Sequence, residues 1–228
     1  MRPGRPLGLT SRMTETPEGK TVSRGAEASI RAVEWLGWPA YLKDREAKAY
    51  RPKPLDERLR RSRTRTEARL LVDARHIGVR TPIIYDLDLT KHRIVLEALD
   101  GPTLKELLER SRDDPAPLLA PVRAFGEGLG TLHAGGISHG DLTSSNVMFP
   151  EGPGGPPAFI DLSMGSRSPG VEELGIDLHL VEEDLRALHP KGDTLLESFF
   201  EGYAAGNPTG AAEVRARAKE IRGRVRYA

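Results

Sequence analysis

The sequence has no cysteine in its 228 residues. Disulfides, cysteine nucleophiles and thiolate metal sites are therefore excluded together. It has no large charge of one sign either. The formal net charge is +1, so no overall field calls for nucleic acid or a membrane surface. No apolar run approaches the roughly 18 residues that a membrane-spanning helix needs. No internal repeat is evident. The opening "MRPGRPLGLTSRMTETPEGK" is basic and rich in Pro and Gly but lacks the apolar core of a secretory signal. It reads as a flexible tail, residues 1–20, with Met13 as an alternative start. These absences fit an intracellular, cytoplasmic protein with no membrane partner.

What is present begins with arginine, clustered in "RLRRSRTRTEAR" (58–69) and "RARAKEIRGRVR" (215–226). The stretch "TVSRGAEASIRAVEW" reads as strand, tight turn at Gly25, strand, and "WPAYLKDR" (38–45) as a third strand. In "LDERLRRSRTRTEARLLVDARHIGV" the residues Leu70, Leu71, Ala74 and Ile77 recur at helical spacing, and Gly78 follows as a C-cap. "TPIIYDLDL" and "HRIVLEAL" are two more strands. The first hundred residues thus read β-β-β-α-β-β. The second half reads as helices, "TLKELLER" and then "LLAPVRAFGEGLGTLHAGG" with interruptions at Pro121 and the glycines. Short strands "NVMF" and "AFIDL" flank the loop "PEGPGGPP", and three helices complete the chain. The change of character falls near Ala98–Gly101.

One ordered set of polar residues runs across these elements. Phosphoryl transfer from ATP needs a cation on the phosphates, a carboxylate holding that cation, oxygen ligands for Mg²⁺, and a carboxylate beside the acceptor oxygen. Lys43, on the third strand, is placed to reach the phosphates. Glu67, one turn before the apolar stripe of the long helix, is placed to pair with it. In "HGDLTSSN" (139–146), Asp141 is the candidate for the acceptor hydroxyl or water, Asn146 for the metal, and His139 for fixing the backbone. Asp161, ending "AFID", is the main Mg²⁺ candidate, since hard oxygens suit that ion. Each residue alone has a bland reading: surface lysine, solvated helix glutamate, polar turn. The order Lys, Glu, His-x-Asp-x4-Asn, Asp on matching elements points to catalysis.

At these residues, with "SRGAEA", "KAYRPKPLD", "GVRTPIIYDLD" and "RGR", the chain resembles the kinase/ATPase subunit of the KEOPS complex, one of the RIO-like atypical Ser/Thr kinases. The resemblance implies an α+β, two-lobed protein-kinase-like fold. A small β-rich N-lobe with one main helix would span 21–98 and a reduced helical C-lobe 99–221, followed by a basic tail, 222–228. It implies ATP and Mg²⁺ as cofactors, with Asp141, Lys43 and Glu67 catalytic and Asn146 and Asp161 on metal. Ser23, Gly25 and Lys43 would meet phosphate, and Leu96, Glu97 and Leu99 would receive adenine at the hinge. Asp177 would be a buried support for the catalytic loop. The implied role is ATPase and weak kinase in threonylcarbamoyladenosine modification of tRNA. Its partners would be other KEOPS subunits, including the tRNA-modifying one, and tRNA, met indirectly or through the basic tail. A RIO-type ribosome-assembly kinase and an inactive scaffold are the rival readings. Two departures stand out: "DLSMG" replaces Asp-Phe-Gly-Leu, and the phosphate turn carries one glycine. Only fifteen residues, "LSMGSRSPGVEELGI", separate Asp161 from Asp177, little from which to build a peptide platform.

Overall fold

The computed structural model describes residues 19–24 and 27–225. The expected tail 1–20 lies outside these apart from Gly19 and Lys20, as do Gly25, Arg226 and the side chain of Ser23. The chain divides into two compact units. The first holds the described residues up to Arg61 together with Ile84–Ala98, and the second holds Ser62–Ile83 and everything from Leu99 onward.

The first unit is built on five strands: β1 (Lys20–Arg24), β2 (Ser29–Trp35), β3 (Trp38–Asp44), β4 (Ile84–Asp88) and β5 (Arg93–Glu97). They form one sheet in the order β1-β2-β3-β5-β4, with every pair antiparallel. Period-two alternation explains the pattern. Val33, Ala40, Leu42 and Val95 fall on one face and bury together, with Trp35 and Tyr85 packed against them. The cross-strand row Ile30–Lys43–Ile94 lies on the other face.

Helix α1 (Lys53–His76) begins in the first unit and ends in the second. Its arginines 58, 61, 65 and 69 are exposed, while Thr64, Glu67, Leu70, Leu71 and Ala74 are buried along the opposite side. Gly78 follows at φ +87°, ending the helix as the spacing predicts.

The second unit is mainly helical, with α2 (Leu104–Arg110), α3 (Ala116–Ala134), α4 (Val171–Leu188), α5 (Gly192–Gly206) and α6 (Ala211–Val225). A full capping box starts α2: Thr103 Oγ1 accepts from the Glu106 N–H at 3.2 Å, and Glu106 Oε2 accepts from the Thr103 N–H at 2.7 Å. The expected interruptions in α3 do not occur, and the helix runs unbroken through Pro121. Its glycines allow close approach. A Cβ on Gly126 would sit 2.0 Å from the Phe199 carbonyl oxygen of α5, and one on Gly130 2.5 Å from that of Tyr203. Reciprocally, a Cβ on Gly202 or Gly206 of α5 would meet the Arg123 or Glu127 carbonyl oxygen of α3 at 1.9 and 2.1 Å. Two Gly-x-x-x-Gly rows thus interlock backbone against backbone. Phe125 packs beside them on Phe199, ring centroids 5.0 Å apart.

Four two-residue strands complete the unit. β6 (Ile137–Ser138) pairs with β9 (Ser166–Arg167), and β7 (Val147–Met148) pairs with β8 (Ala158–Phe159). Residues 222–225, expected in a tail, form the last turn of α6. The reason is electrostatic: Arg222 Nη1 donates to the buried Glu182 Oε2 at 2.5 Å, and Arg224 Nη1 to Glu172 Oε1 at 3.0 Å, both acceptors on α4.

Candidate active site

The loop between β6 and β7 carries "HGDLTSSN", and one carboxylate organises its start. Asp177, wholly buried on α4, accepts from the backbone N–H of His139 at 2.6 Å through Oδ2 and from that of Gly140 at 2.8 Å through Oδ1. His133 Nε2 donates to the same Oδ2 at 3.2 Å. His133 Nδ1 then accepts from the Tyr203 hydroxyl at 2.8 Å, and that oxygen faces Asn207 Nδ2 at 3.5 Å. Burial drives the Asp177 carboxyl upward, but the hydrogen bonds from His133 and from the His139 N–H hold it below the ordinary carboxylate range. Burial, and to a lesser degree the charge of Asp177, pushes the Tyr203 phenol up.

His139 is fully buried and its tautomer is fixed by its partners. Nε2–H donates to the Ile160 carbonyl at 3.0 Å, and Nδ1 accepts from the Asp141 N–H at 3.4 Å. A neutral imidazole satisfies both contacts. Burial accordingly lowers its pKa, more than the carboxylates of Asp177, Asp161 and Asp141 and the Ile160 carbonyl raise it. Gly140 has φ +81°, and a Cβ there would stand 2.1 Å from the Met164 carbonyl oxygen. Only glycine lets this turn lie on the segment after Asp161.

The chain leaves the clamp with Asp141 exposed. The Asn146 amide Nδ2 donates to the Asp141 carbonyl at 2.8 Å, so Oδ1 is the atom left to meet a cation. The Ile160 N–H donates to the Asn146 carbonyl at 3.0 Å, which binds the Asn146 turn to the residue preceding Asp161. Asp161 itself adopts the left-handed conformation, φ 58° and ψ 57°, rare for a residue bearing a side chain. Ser163 Oγ donates to its Oδ1 at 2.7 Å, and Leu162 is buried. Asp141, Asn146 and Asp161 are therefore gathered by one hydrogen-bonded framework of the second unit.

Glu67 is also in the second unit, wholly buried on α1. In the first unit, Lys43 is 5% exposed on β3. Leu96 and Glu97 are half-buried at the end of β5, where Leu96 pairs with Tyr41 and Glu97 with Ala40. Leu99 is buried and opens the second unit. Sequence reading overlooked Ser163, Tyr203, His133 and Asp184, whose Oδ2 accepts from the Ser144 N–H at 2.8 Å. Nothing in their local sequence separates them from ordinary helix or loop residues, although Ser163 lies inside a quoted departure.

An antiparallel five-stranded sheet, a long helix, and a helical unit carrying two short hairpin-like pairs define the architecture of a protein kinase. Solved structures agree. The Rio2 kinase of Chaetomium thermophilum in its ADP/Mg²⁺-phosphoaspartate complex matches with TM-score 0.59 and 17% identity, over 94% of this chain and 72% of that one. WaaP in complex with acyl carrier protein matches with TM-score 0.57 and 18% identity, over 90% and 89%. At such identities the likeness is one of fold.

Sequence comparison reaches further. Probable bifunctional tRNA threonylcarbamoyladenosine biosynthesis proteins are 41% identical over 211 residues in Methanoculleus marisnigri, 37% over 213 in Methanosarcina mazei and 35% over 207 in Methanothermobacter thermautotrophicus. These alignments cover 90–93% of this chain but 36% of each relative, so the chain spans little more than a third of their length. No family model matches it. The chain has a protein-kinase-like fold, and by sequence it is similar to one segment of the tRNA threonylcarbamoyladenosine biosynthesis proteins.

Proposed function

We propose that the chain is an ATP- and Mg²⁺-dependent ATPase and atypical Ser/Thr kinase that serves threonylcarbamoyladenosine modification of tRNA, as the kinase-type subunit of a KEOPS-like assembly. The observation that carries this reading is the 35–41% identity with the bifunctional biosynthesis proteins across nine-tenths of the chain. The site supports the chemistry.

The donor set fits Mg²⁺ brought with a nucleotide. Asp161 supplies a carboxylate and Asn146 an amide oxygen, both hard donors. Among the described residues no group of three or more His, Cys, Asp or Glu is arranged to hold a metal. Mg²⁺ characteristically takes one or two protein carboxylates and fills its remaining positions with phosphate oxygens and water. Bound ATP·Mg²⁺ supplies the phosphoryl group and neutralises its developing charge. In this reading Lys43 holds phosphate oxygens, Glu67 orients the lysine, and Leu96, Glu97 and Leu99 receive adenine. Asp141, exposed at the end of the Asp177 clamp, orients the attacking hydroxyl or water and takes its proton.

The acceptor follows from what succeeds Asp161. Residues 162–164 form a single 3-10 turn, β9 follows, and α4 begins at Val171. That short path favours water or the chain's own hydroxyls as acceptors over docked peptides. No helix among the described residues is long and apolar enough to cross a membrane. The function is tested by measuring Mg²⁺-dependent phosphate release from ATP by the purified chain. A second arm measures restored tRNA modification in cells lacking the equivalent segment, with Asp161→Ala as control. Absence of phosphate release, or equal restoration by the control, overturns the reading.

A further inference from the structure

In "DLSMG" the proposed function uses Asp161 and leaves Ser163 without a part. The surrounding backbone is fixed without the serine's help. Before it, the Ile160 N–H donates to the Asn146 carbonyl at 3.0 Å, and the Ile160 carbonyl accepts from His139 Nε2 at 3.0 Å. After it, the Gly165 N–H donates to the Leu162 carbonyl at 3.2 Å, and the Ser166 N–H to Ser138 Oγ at 3.1 Å. A Cβ on Gly165 would stand 2.2 Å from the Ser138 carbonyl oxygen, so this end of the turn lies directly on β6. Leu162 is wholly buried. Ser163 itself belongs to a 3-10 turn, whose backbone angles suit any ordinary side chain. The backbone does not call for serine at this position. What serine adds is its hydroxyl.

That hydroxyl acts on the main metal candidate. Ser163 Oγ donates to Asp161 Oδ1 at 2.7 Å, the length of a hydrogen bond to a charged oxygen, which is roughly twice as strong as a neutral pair. Both residues are half-buried. The left-handed backbone of Asp161, φ 58° and ψ 57°, sets where its side chain begins, and the Ser163 hydroxyl sets where it ends. A carboxylate that nothing holds rotates broadly about its last torsion. It must surrender that freedom when it takes an ion. A carboxylate held beforehand surrenders less, so more of the interaction appears as affinity.

We propose that Ser163 is a positioning residue for Mg²⁺, its hydroxyl orienting the Asp161 carboxylate before the ion arrives. Ser163 acts through Asp161 and does not itself hold the ion. Groups that hydrogen-bond a metal-ligating side chain typically govern metal affinity by about 10–100-fold. The inference rests on the proposed role of Asp161 as a metal ligand and adds to it a residue outside the ligand set.

The probe is ADP, titrated calorimetrically into the full chain over a series of Mg²⁺ concentrations and once without the ion. The parent should bind ADP more tightly as Mg²⁺ rises. Ser163→Ala should need about ten-fold more Mg²⁺ to reach the same affinity, with metal-free binding of ADP unchanged. Ser163→Thr keeps the hydroxyl and should keep the parent's requirement for the ion. Ser163→Cys keeps the shape with a weaker donor, and it carries the test if Ser163→Ala fails to fold. A requirement in Ser163→Ala equal to the parent's, or lower, overturns the proposal. So does a loss of metal-free ADP binding by the same factor, because the serine would then act on the nucleotide and not on the ion. So does a Ser163→Thr variant that behaves like alanine, because the hydroxyl would then be irrelevant. A parent whose affinity for ADP ignores Mg²⁺ overturns the proposed function itself and this inference with it, whereas the other three outcomes overturn the inference alone.

Discussion

Asp141 and Asp161 are both carboxylates on one hydrogen-bonded framework, yet their surroundings differ. Asp161 is half-buried, held in a left-handed conformation, with one oxygen engaged by Ser163. Asp141 is exposed, and its backbone is tied to His139 and Asn146. The first setting suits a fixed metal ligand and the second a group that meets an incoming acceptor. Asp161→Ala should abolish Mg²⁺-dependent nucleotide binding together with turnover. Asp141→Asn keeps the shape and loses the base. It should bind ATP·Mg²⁺ about as well as the parent and turn over on the order of 10²–10⁴-fold more slowly, the usual share of a general base. Calorimetry with a non-hydrolysable analogue, paired with phosphate release, separates these outcomes. Equal loss of binding in both variants merges the two roles, and full turnover by Asp141→Asn returns "HGDLTSSN" to a polar turn. At this scale the order of the charged residues marked them as candidates, and the structure gathers Asp141, Asn146 and Asp161 in the second unit. Tyr203, Asp184 and His133 were not legible, since each contributes through a partner 40 to 70 positions away that no local pattern announces.

The glycines of α3 and α5 make the sharpest test at the scale of elements. Gly202→Ala drives a Cβ to 1.9 Å from the Arg123 carbonyl oxygen, a backbone atom that cannot swing aside. Overpacking of this kind costs typically about 1–3 kcal/mol. A Cβ added to Gly223 of α6 would meet nothing within 4 Å, so Gly223→Ala should instead stabilise by about 0.5–1 kcal/mol through helix propensity. Urea unfolding of the two variants should shift in opposite directions. A second test concerns α6. Glu182 is almost fully buried and is held by Arg186 as well as Arg222. Arg222→Ala should destabilise by about 1–3 kcal/mol, the worth of a hydrogen bond to a charged group. No change in the urea midpoint would return residues 222–225 to the status of an idle tail. The strands of the first unit were legible from alternation and a glycine turn. The α3 helix was misread because glycine signals a break in isolation, whereas here it admits a neighbouring backbone. β6 and β9 were illegible for a simpler reason: two residues carry no period.

The whole molecule should be sensitive to acid, and the sign follows from two buried groups. His139 is kept neutral in the fold, so below its ordinary pKa of about 6.5 the unfolded chain binds a proton that the folded chain refuses, and stability falls with pH. Asp177 is kept ionised in the fold. Its contribution is present above the ordinary carboxylate pKa and is lost as pH falls through the lower folded value. Urea midpoints measured from pH 7.5 downward should therefore decline first through the histidine range and again in the carboxylate range. His139→Gln should make the first decline shallower, leaving the part that buried His92 contributes with the same sign, and leave the second. A parent midpoint that is constant from pH 7.5 to 5 would contradict this account.

The interlocked glycine rows also set when this fold can be completed during synthesis. Three glycines and the interior Pro121 make α3 a weak helix by itself, and its glycine face has no shape to offer until α5 arrives. Translation proceeds from the N-terminus at about 5–20 residues per second, so roughly 70 residues separate the emergence of one partner from that of the other. Tyr203, which steadies His133 and through it the Asp177 clamp, travels on the same late helix. A nascent chain that has already exposed Asp141 and Asp161 on the ribosome would still lack the framework that aligns them. Alignment of these residues would come as a late and cooperative event of synthesis.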